Sequence, residues 1–419
     1  MMYQVSDNIS KRFANLVALP QVQQALAFVE HDQERCIAQQ CELVQIEAPT
    51  GQEGKRAAAF VDMLRACGIR DAKIDPAGNV VAIRHGKGNG PKVLVEGHLD
   101  TVFPLGSVHG VEKRDGFLCA PGIGDDTRAL AMLLSLLRAM DAAGIETCGD
   151  IYFVGTTREE GMGSLGGMKD FLTEHTDIDV SISVDGHNMA GIVYQATIGE
   201  TWEISFSGVG GHAFNDFGRI AQPLHAAARA VAKIADITVP STPRTSFCVS
   251  NFHGGNDTGI HAIASEATIK INFRSDGEAE FAAVKKAIFE AIDAACAEET
   301  ARWGKNTVVC SKHMLGSIPG GTQDCHAPLV EAAWLGLQYL GVEPELAASG
   351  CTNANVAIAK GIPAICIGRA YAPDDAAKIT YTHSLDERYP VEGAYKAVQQ
   401  TLLILLMAAG MDTVEPIVR

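Results

Sequence analysis

The chain has 419 residues, 47% hydrophobic and 20% charged, enough to bury a large core and to divide into two domains rather than one. A formal net charge of -16 argues against a nucleic-acid backbone or an anionic membrane surface as partner, because both would be repelled. The first residues carry no apolar run with a small-residue cleavage site, and eleven scattered cysteines include no C-x-x-C pair, so neither a secretory signal, a disulfide framework nor a thiolate zinc site is expected. A reducing cytoplasm is the simplest setting.

An amphipathic stretch from Val22 to Val44 comes first, followed by a segment in which Thr50 and Glu53 have the spacing of a capping box. Short apolar runs then read as core strands: NVVAIR at 79–84, KVLVEG at 92–97, IYFVGT at 151–156 and VSISVD at 180–185. Helical patterns such as Arg128 to Met140 separate them, which describes an α/β domain with a mostly parallel sheet. From about Ala196 the pattern changes to strand, helix (Pro223 to Ile237), two strands, long helix (Glu278 to Arg302) and the strand NTVVCSKH. This βαββαβ order predicts a small inserted domain at 197–317, leaving 1–196 and 318–419 as one discontinuous domain. The closing segments are a helix at Leu329 to Leu340, the strand PAICIG and a buried helix over Thr401 to Met411, too short to span a bilayer.

One histidine and five carboxylates fall at or near strand ends, and a second histidine closes the series: His98, Asp100, Asp125, Glu159, Glu160, Asp185 and His383. Like charges about 4 Å apart cost on the order of 4 kcal/mol per pair at an effective dielectric of about 20, so such a crowd calls for cations. Each motif alone has an ordinary explanation. His98 and Asp100 share a face as a strand-end pair would, Asp125 and Asp126 suit a helix N-terminus, and adjacent glutamates are usually a solvated surface. Their shared position at the carboxyl edge of one sheet, where open α/β folds bind ligands, favours two divalent ions and a general base. Mixed oxygen and nitrogen ligands suit Zn²⁺ and also admit Mn²⁺ or Co²⁺.

The ordered motifs HLDTVFP, GIGDDTR, TTREEGMGS, SVDG, GVGGHAF and THSLDE resemble those of the co-catalytic di-zinc hydrolases that include carboxypeptidase G, peptidase T, aminoacylase and acetylornithine deacetylase. The likeness runs from about Glu47 to Ala408. It implies that His98 and Asp185 serve one metal, Glu160 and His383 the other, and that Asp125 bridges them. By the same likeness Asp100 orients His98, Glu159 is the base that takes a proton from the bridging water, and the Asp125–Asp126 peptide is cis. His212 resembles the inserted domain's oxyanion-stabilising histidine, which often serves the partner subunit of a homodimer. Arg274 resembles the arginine that receives a substrate carboxylate.

The chain departs from the family pattern in several places. Thr127 and Arg128 replace the usual lysine and glycine. His261 and Ala264 replace a lid asparagine and proline, and Asn353 stands where an aspartate is common, so His261 and Asn353 are the substrate-side positions that differ. The expected activity is amide hydrolysis, as an exopeptidase on small peptides. The alternatives are an N-acyl amino acid deacylase of the same mechanism and, in a different class, a non-catalytic metal-dependent binding protein.

Overall fold

A computed structural model describes residues 3–303 and 308–418; Asn306 and Thr307, which open the expected strand NTVVCSKH, lie outside the described residues. The chain separates into two compact units, one running through Ala196 and resuming at Thr322, the other Thr197–Gly321. The second crossing falls at Gly321 rather than after residue 317, because the strand Val309–Ile318 pairs to its last residue with Gly199.

In the first unit an eight-stranded sheet runs in the order Lys73–Ile74, Val80–Arg84, Ile151–Thr156, Val93–His98, Val180–Gly186, Ala364–Gly368, Gly191–Val193, Glu345–Ala347. Its four central strands are mutually parallel, while Val80–Arg84 and Gly191–Val193 run antiparallel to their inner neighbours. Every residue of Val93–His98 and Ile151–Thr156 is buried, so these strands read as continuous apolar runs without alternation. The helices Thr127–Ala142 and Tyr395–Ala409 both contact Val93–His98 and are buried on nearly all sides. A helix apolar all round belongs in a core, and that is where the run from Thr401 lies. Among the described residues no helix is long and apolar enough to cross a membrane.

Two local expectations need correction. The stretch Val22 to Val44 is two helices, Pro20–His31 and Gln33–Val44, with a further helix Asp7–Val17 before them. The chain breaks at Asp32, whose carboxylate is drawn aside by Ser135 Oγ (2.8 Å) and Arg138 Nε (3.0 Å). Thr50 and Glu53 do not form a capping box for the helix Gly54–Ala66. Thr50 instead donates to Asp100 Oδ2 at 2.8 Å, and Glu53 accepts from Gly51 N at 2.7 Å and Arg158 N at 3.0 Å. Tertiary partners at the sheet edge have taken both side chains.

The second unit is an antiparallel sheet ordered Thr245–Gly254, Glu266–Ser275, Ile198–Ser207, Val309–Ile318. Glu266–Ser275 alternates buried and accessible residues along its length, as a strand with one covered face must. Ile204, Phe206, Ile269, Ile271 and Phe273 pack with residues of the helices Pro223–Ala235 and Glu278–Trp303.

Gly97 permits the close approach of helix Thr127–Ala142 to the central sheet: a Cβ there would meet Ala129 Cβ at 2.5 Å and Asp126 Oδ2 at 2.8 Å. Gly97→Ala should therefore lower unfolding free energy by about 1–3 kcal/mol in urea titrations, the usual range for overpacking. An unchanged midpoint would show that this contact is not tight.

Candidate metal centre

Because the four central strands are parallel, their carboxyl ends meet on one edge. His98 ends its strand opposite Thr156, three residues before Glu159; Asp185 is the last residue but one of Val180–Gly186; Arg369 follows Ala364–Gly368. This register turns positions far apart in sequence into neighbours. Asp125 and Asp126 arrive from the loop before helix Thr127–Ala142, joined by a cis peptide, and His383 comes from a late loop with φ of 65°.

Asp125 stands at the centre. Its Oδ1 lies 2.8 Å from His98 Nε2, and its Oδ2 lies 3.1 Å from His383 Nε2. On the first side Asp185 Oδ1 is 3.8 Å from His98 Nε2; on the second, Glu160 Oε1 is 2.9 Å from His383 Nε2. Candidate ligand atoms of His98, Asp125 and Glu160, and of His98, Glu159 and Asp185, lie within 4.8 Å of one another. One carboxylate thus faces two half-sites, each with an imidazole and an acid. This set of carboxylate oxygens and imidazole nitrogens fits divalent cations.

The ligand-bearing turn is held by carboxylates outside it. Asp100 accepts from Glu159 N and Glu160 N, each at 3.0 Å, while Glu53 takes the preceding Arg158 N. Asp100 was expected to orient His98 through its carboxylate. The closer contact is its main-chain oxygen, 2.9 Å from His98 Nδ1, against 3.5 Å for Oδ1, because the carboxylate is already engaged by the glutamate turn. Either way Nδ1 is occupied, which leaves Nε2 to face Asp125. Glu387 does for the aspartate loop what Asp100 does for the glutamates: it accepts from Gly122 N (2.8 Å), Gly124 N (2.9 Å) and Asp125 N (2.9 Å).

Two neighbours were not read from the sequence. Arg369 is buried and reaches Asp185 Oδ1 at 2.6 Å, Asp125 Oδ2 at 3.5 Å and Asp126 Oδ1 at 3.6 Å. His187 Nδ1 lies 3.4 Å from Thr382 Oγ1, and both residues line the site. Their signal was position: each directly follows a strand that the sequence shows as an apolar run, and Glu387 lies inside the quoted THSLDE motif.

Charge follows this geometry. Burial pushes the Glu159 carboxyl well above the usual range, and Asp185 adds to the effect. Burial also lifts Asp126 strongly, against the pull of His98 and Arg369. For Asp125 burial works the same way, but Arg369 and the contacts with His383 and His98 outweigh it and hold the group well below the usual range. His383 is raised to about 10 by Asp125 and Glu160. The acids of the site thus favour positive charge on the imidazole between them.

A cavity of about 210 Å³ is lined by Asp125, Glu159, Glu160, Asp185, His187, Cys351, Thr352, Thr382 and His383. A larger groove of about 670 Å³ passes Arg114 and Leu385 but contains none of the candidate ligands, so the chemistry selects the smaller one. Asn353 does not line the cavity. Its amide is 1% exposed and donates inward to Glu96 Oε2 at 2.9 Å and Thr156 Oγ1 at 2.8 Å, so its place as a substrate contact is corrected to a buried brace. His212, His261 and Arg274 all belong to the second unit. His212 and the residue after His261 pair across a two-stranded ribbon, and Arg274 lies on the accessible side of its strand, donating to Asn272 Oδ1 at 3.1 Å.

Removing Asp100 would strand two buried N–H groups. Asp100→Ala should cost about 2–6 kcal/mol in chemical denaturation, from the penalty of about 1–3 kcal/mol for each unsatisfied group. Unchanged stability would show that the glutamate turn is held by other means.

Known proteins bear on this site. A succinyl-diaminopimelate desuccinylase of Leptothrix cholodnii is 25% identical over 359 residues, covering 81% of this chain and 88% of that protein. A putative LysW-lysine/LysW-ornithine hydrolase of Thermococcus kodakarensis is 36% identical over 119 residues, a match that spans 28% of this chain and only 31% of that relative's length. The solved structure of aminopeptidase PepT from Bacillus cereus has a similar fold, with a TM-score of 0.72 at 22% identity, covering 89% of this chain and 97% of that one. The sequence profile of peptidase family M20/M25/M40 matches residues 94–407, well over half of the chain, and this chain belongs to that family.

Proposed function

We propose that this chain hydrolyses amide bonds at a centre of two divalent ions, zinc by ligand chemistry with manganese or cobalt as substitutes, and that it acts as an exopeptidase on small peptides. The observation that carries this reading is Asp125, which turns one oxygen to His98 and the other to His383. When bound, two such ions polarise a carbonyl and make water nucleophilic at neutral pH.

The remaining chemistry belongs to the chain. Glu159 lines the cavity beside Glu160, and among the described residues its carboxylate is in no ion pair. It is the group free to take the proton of the attacking water and hand it to the departing amine. Glu160, paired with His383, is committed to the cation side. Asp100 fixes both glutamates through their main-chain N–H groups, so the base and the ligand keep a constant spacing. Arg274 of the second unit would receive a substrate carboxylate, and His212 an oxyanion, as in the family that the motifs resemble.

A second reading, an N-acyl amino acid deacylase, is favoured by the desuccinylase whose sequence follows most of this chain. Both reactions cleave an amide with the same groups. A panel of short peptides and N-acyl amino acids, run with Zn²⁺, Mn²⁺ or Co²⁺, separates them: peptide turnover without deacylation is expected, and the reverse result selects the deacylase.

We also propose a homodimer joined through the second unit, whose outer strand Thr245–Gly254 has, among the described residues, one unpaired edge and leaves Phe252 44% exposed. Light scattering should give twice the chain mass; a fully active monomer would contradict it. A cytoplasmic setting accords with eleven cysteines, all free of disulfides.

Glu159→Ala should retain both ions in metal analysis while turnover falls by about 100-fold or more, the scale of a lost general base. A variant that keeps its ions and its rate would refute this assignment, and wild-type protein that binds the ions and cleaves nothing would point to a binding protein.

A further inference from the structure

Arg369 is the one buried guanidinium in direct contact with the candidate ligands among the described residues, and its contacts are lopsided. Its main-chain N donates to Gly186 O at 2.9 Å and its main-chain oxygen accepts from Tyr389 OH at 3.0 Å, so the residue is fixed at both ends of its peptide unit. The side chain then has little choice. Nη1 donates to Asp185 Oδ1 at 2.6 Å and also to the main-chain oxygen of Asp185. Oδ1 is the same oxygen that lies 3.8 Å from His98 Nε2, so the half-site of His98 and Asp185 shares a ligand oxygen with a permanent cation.

The other half-site is different. Glu160 pairs with His383 at 2.9 Å and, among the described residues, with no arginine or lysine. Arg369 also approaches Asp125 at Oδ2, the oxygen that faces His383, but that contact, at 3.5 Å, is much longer than the 2.6 Å to Asp185 Oδ1. Asp126 offsets the guanidinium only in part: it stands farther off at 3.6 Å, and its Oδ2 already accepts the His98 N–H at 3.0 Å. A fixed positive charge thus sits closer to one cation position than to the other.

We infer that Arg369 makes the two cation positions unequal, competing for Asp185 so that the His98–Asp185 position holds its divalent ion more weakly than the Glu160–His383 position. The ion beside Glu160 is then resident and the ion beside Asp185 exchangeable, and turnover should follow the free concentration of divalent metal. Arg369 acts through Asp185 and is a positioning residue. The inference rests on the two-ion reading of the site proposed above.

The test is calorimetric titration of chelated, metal-free full-length protein with Co²⁺, with cobalt absorbance recorded alongside. Wild type should bind two ions in steps whose dissociation constants differ by tenfold or more. Asp185→Asn should lose the weaker step and leave the tighter one within about threefold. Arg369→Gln, which keeps a donor but removes the charge, should tighten the weaker step by about tenfold; Arg369→Lys, which keeps the charge, should preserve the gap.

A single bound ion in wild type refutes the two-ion reading and this inference with it. Two ions in equal steps overturn the inference alone, whatever the variants do. Loss of the tighter step in Asp185→Asn, or a weaker step that Arg369→Gln leaves unchanged or makes weaker still, also overturns it. Thermal melts establish that each variant is folded, and if Arg369→Gln is not, the wild-type gap and the Asp185→Asn assignment still decide the matter.

Discussion

Asp125, Asp126, Glu159, Glu160 and Asp185 are gathered at one edge of a buried sheet, and the cost of that gathering organises the structure around it. At separations near 4 Å, each pair of ionised carboxylates repels by roughly 4 kcal/mol at an effective dielectric of about 20. Hydrophobic packing cannot remove such a term; opposite charge and hydrogen-bond donors can. The protein supplies His98 and His383 on either side of Asp125, and Arg369 behind Asp185. It also spends the carboxylates of Asp100, Glu53 and Glu387 on main-chain N–H groups, which stiffens the loops that carry the acids.

The fold makes this crowd possible by a simple device. Four parallel strands end on the same side, and their buried apolar bodies fix the register to within one residue, so terminal side chains converge without any long-range signal of their own. Helices buried almost all round press on the sheet from behind. Gly97 marks how closely one of them approaches. Packing sets the positions, and electrostatics decides what can occupy the space between them.

Much of this was legible in the sequence, for identifiable reasons. Continuous apolar runs betrayed the central strands, and acidic or histidine residues just past them betrayed the edge. The inserted βαββαβ pattern followed from alternating strands such as Glu266–Ser275. The failures share a cause. Thr50, Glu53, Asp32 and Asn353 have side chains suited to local capping, and each has been taken by a partner distant in sequence: Asp100, Arg158, Arg138 and Glu96. Local spacing cannot reveal such competition. Arg369 and His187 were missed because a basic residue after a strand is unremarkable until the register shows which acids it faces.

The central claim is that one aspartate joins two cation positions. Anomalous diffraction from crystals grown with zinc tests it most directly. The account predicts two zinc peaks, one beside His98 and Asp185 and the other beside Glu160 and His383, with Asp125 touching both and Glu159 touching neither. A single peak, or a pair in which Asp125 is not shared, would contradict it.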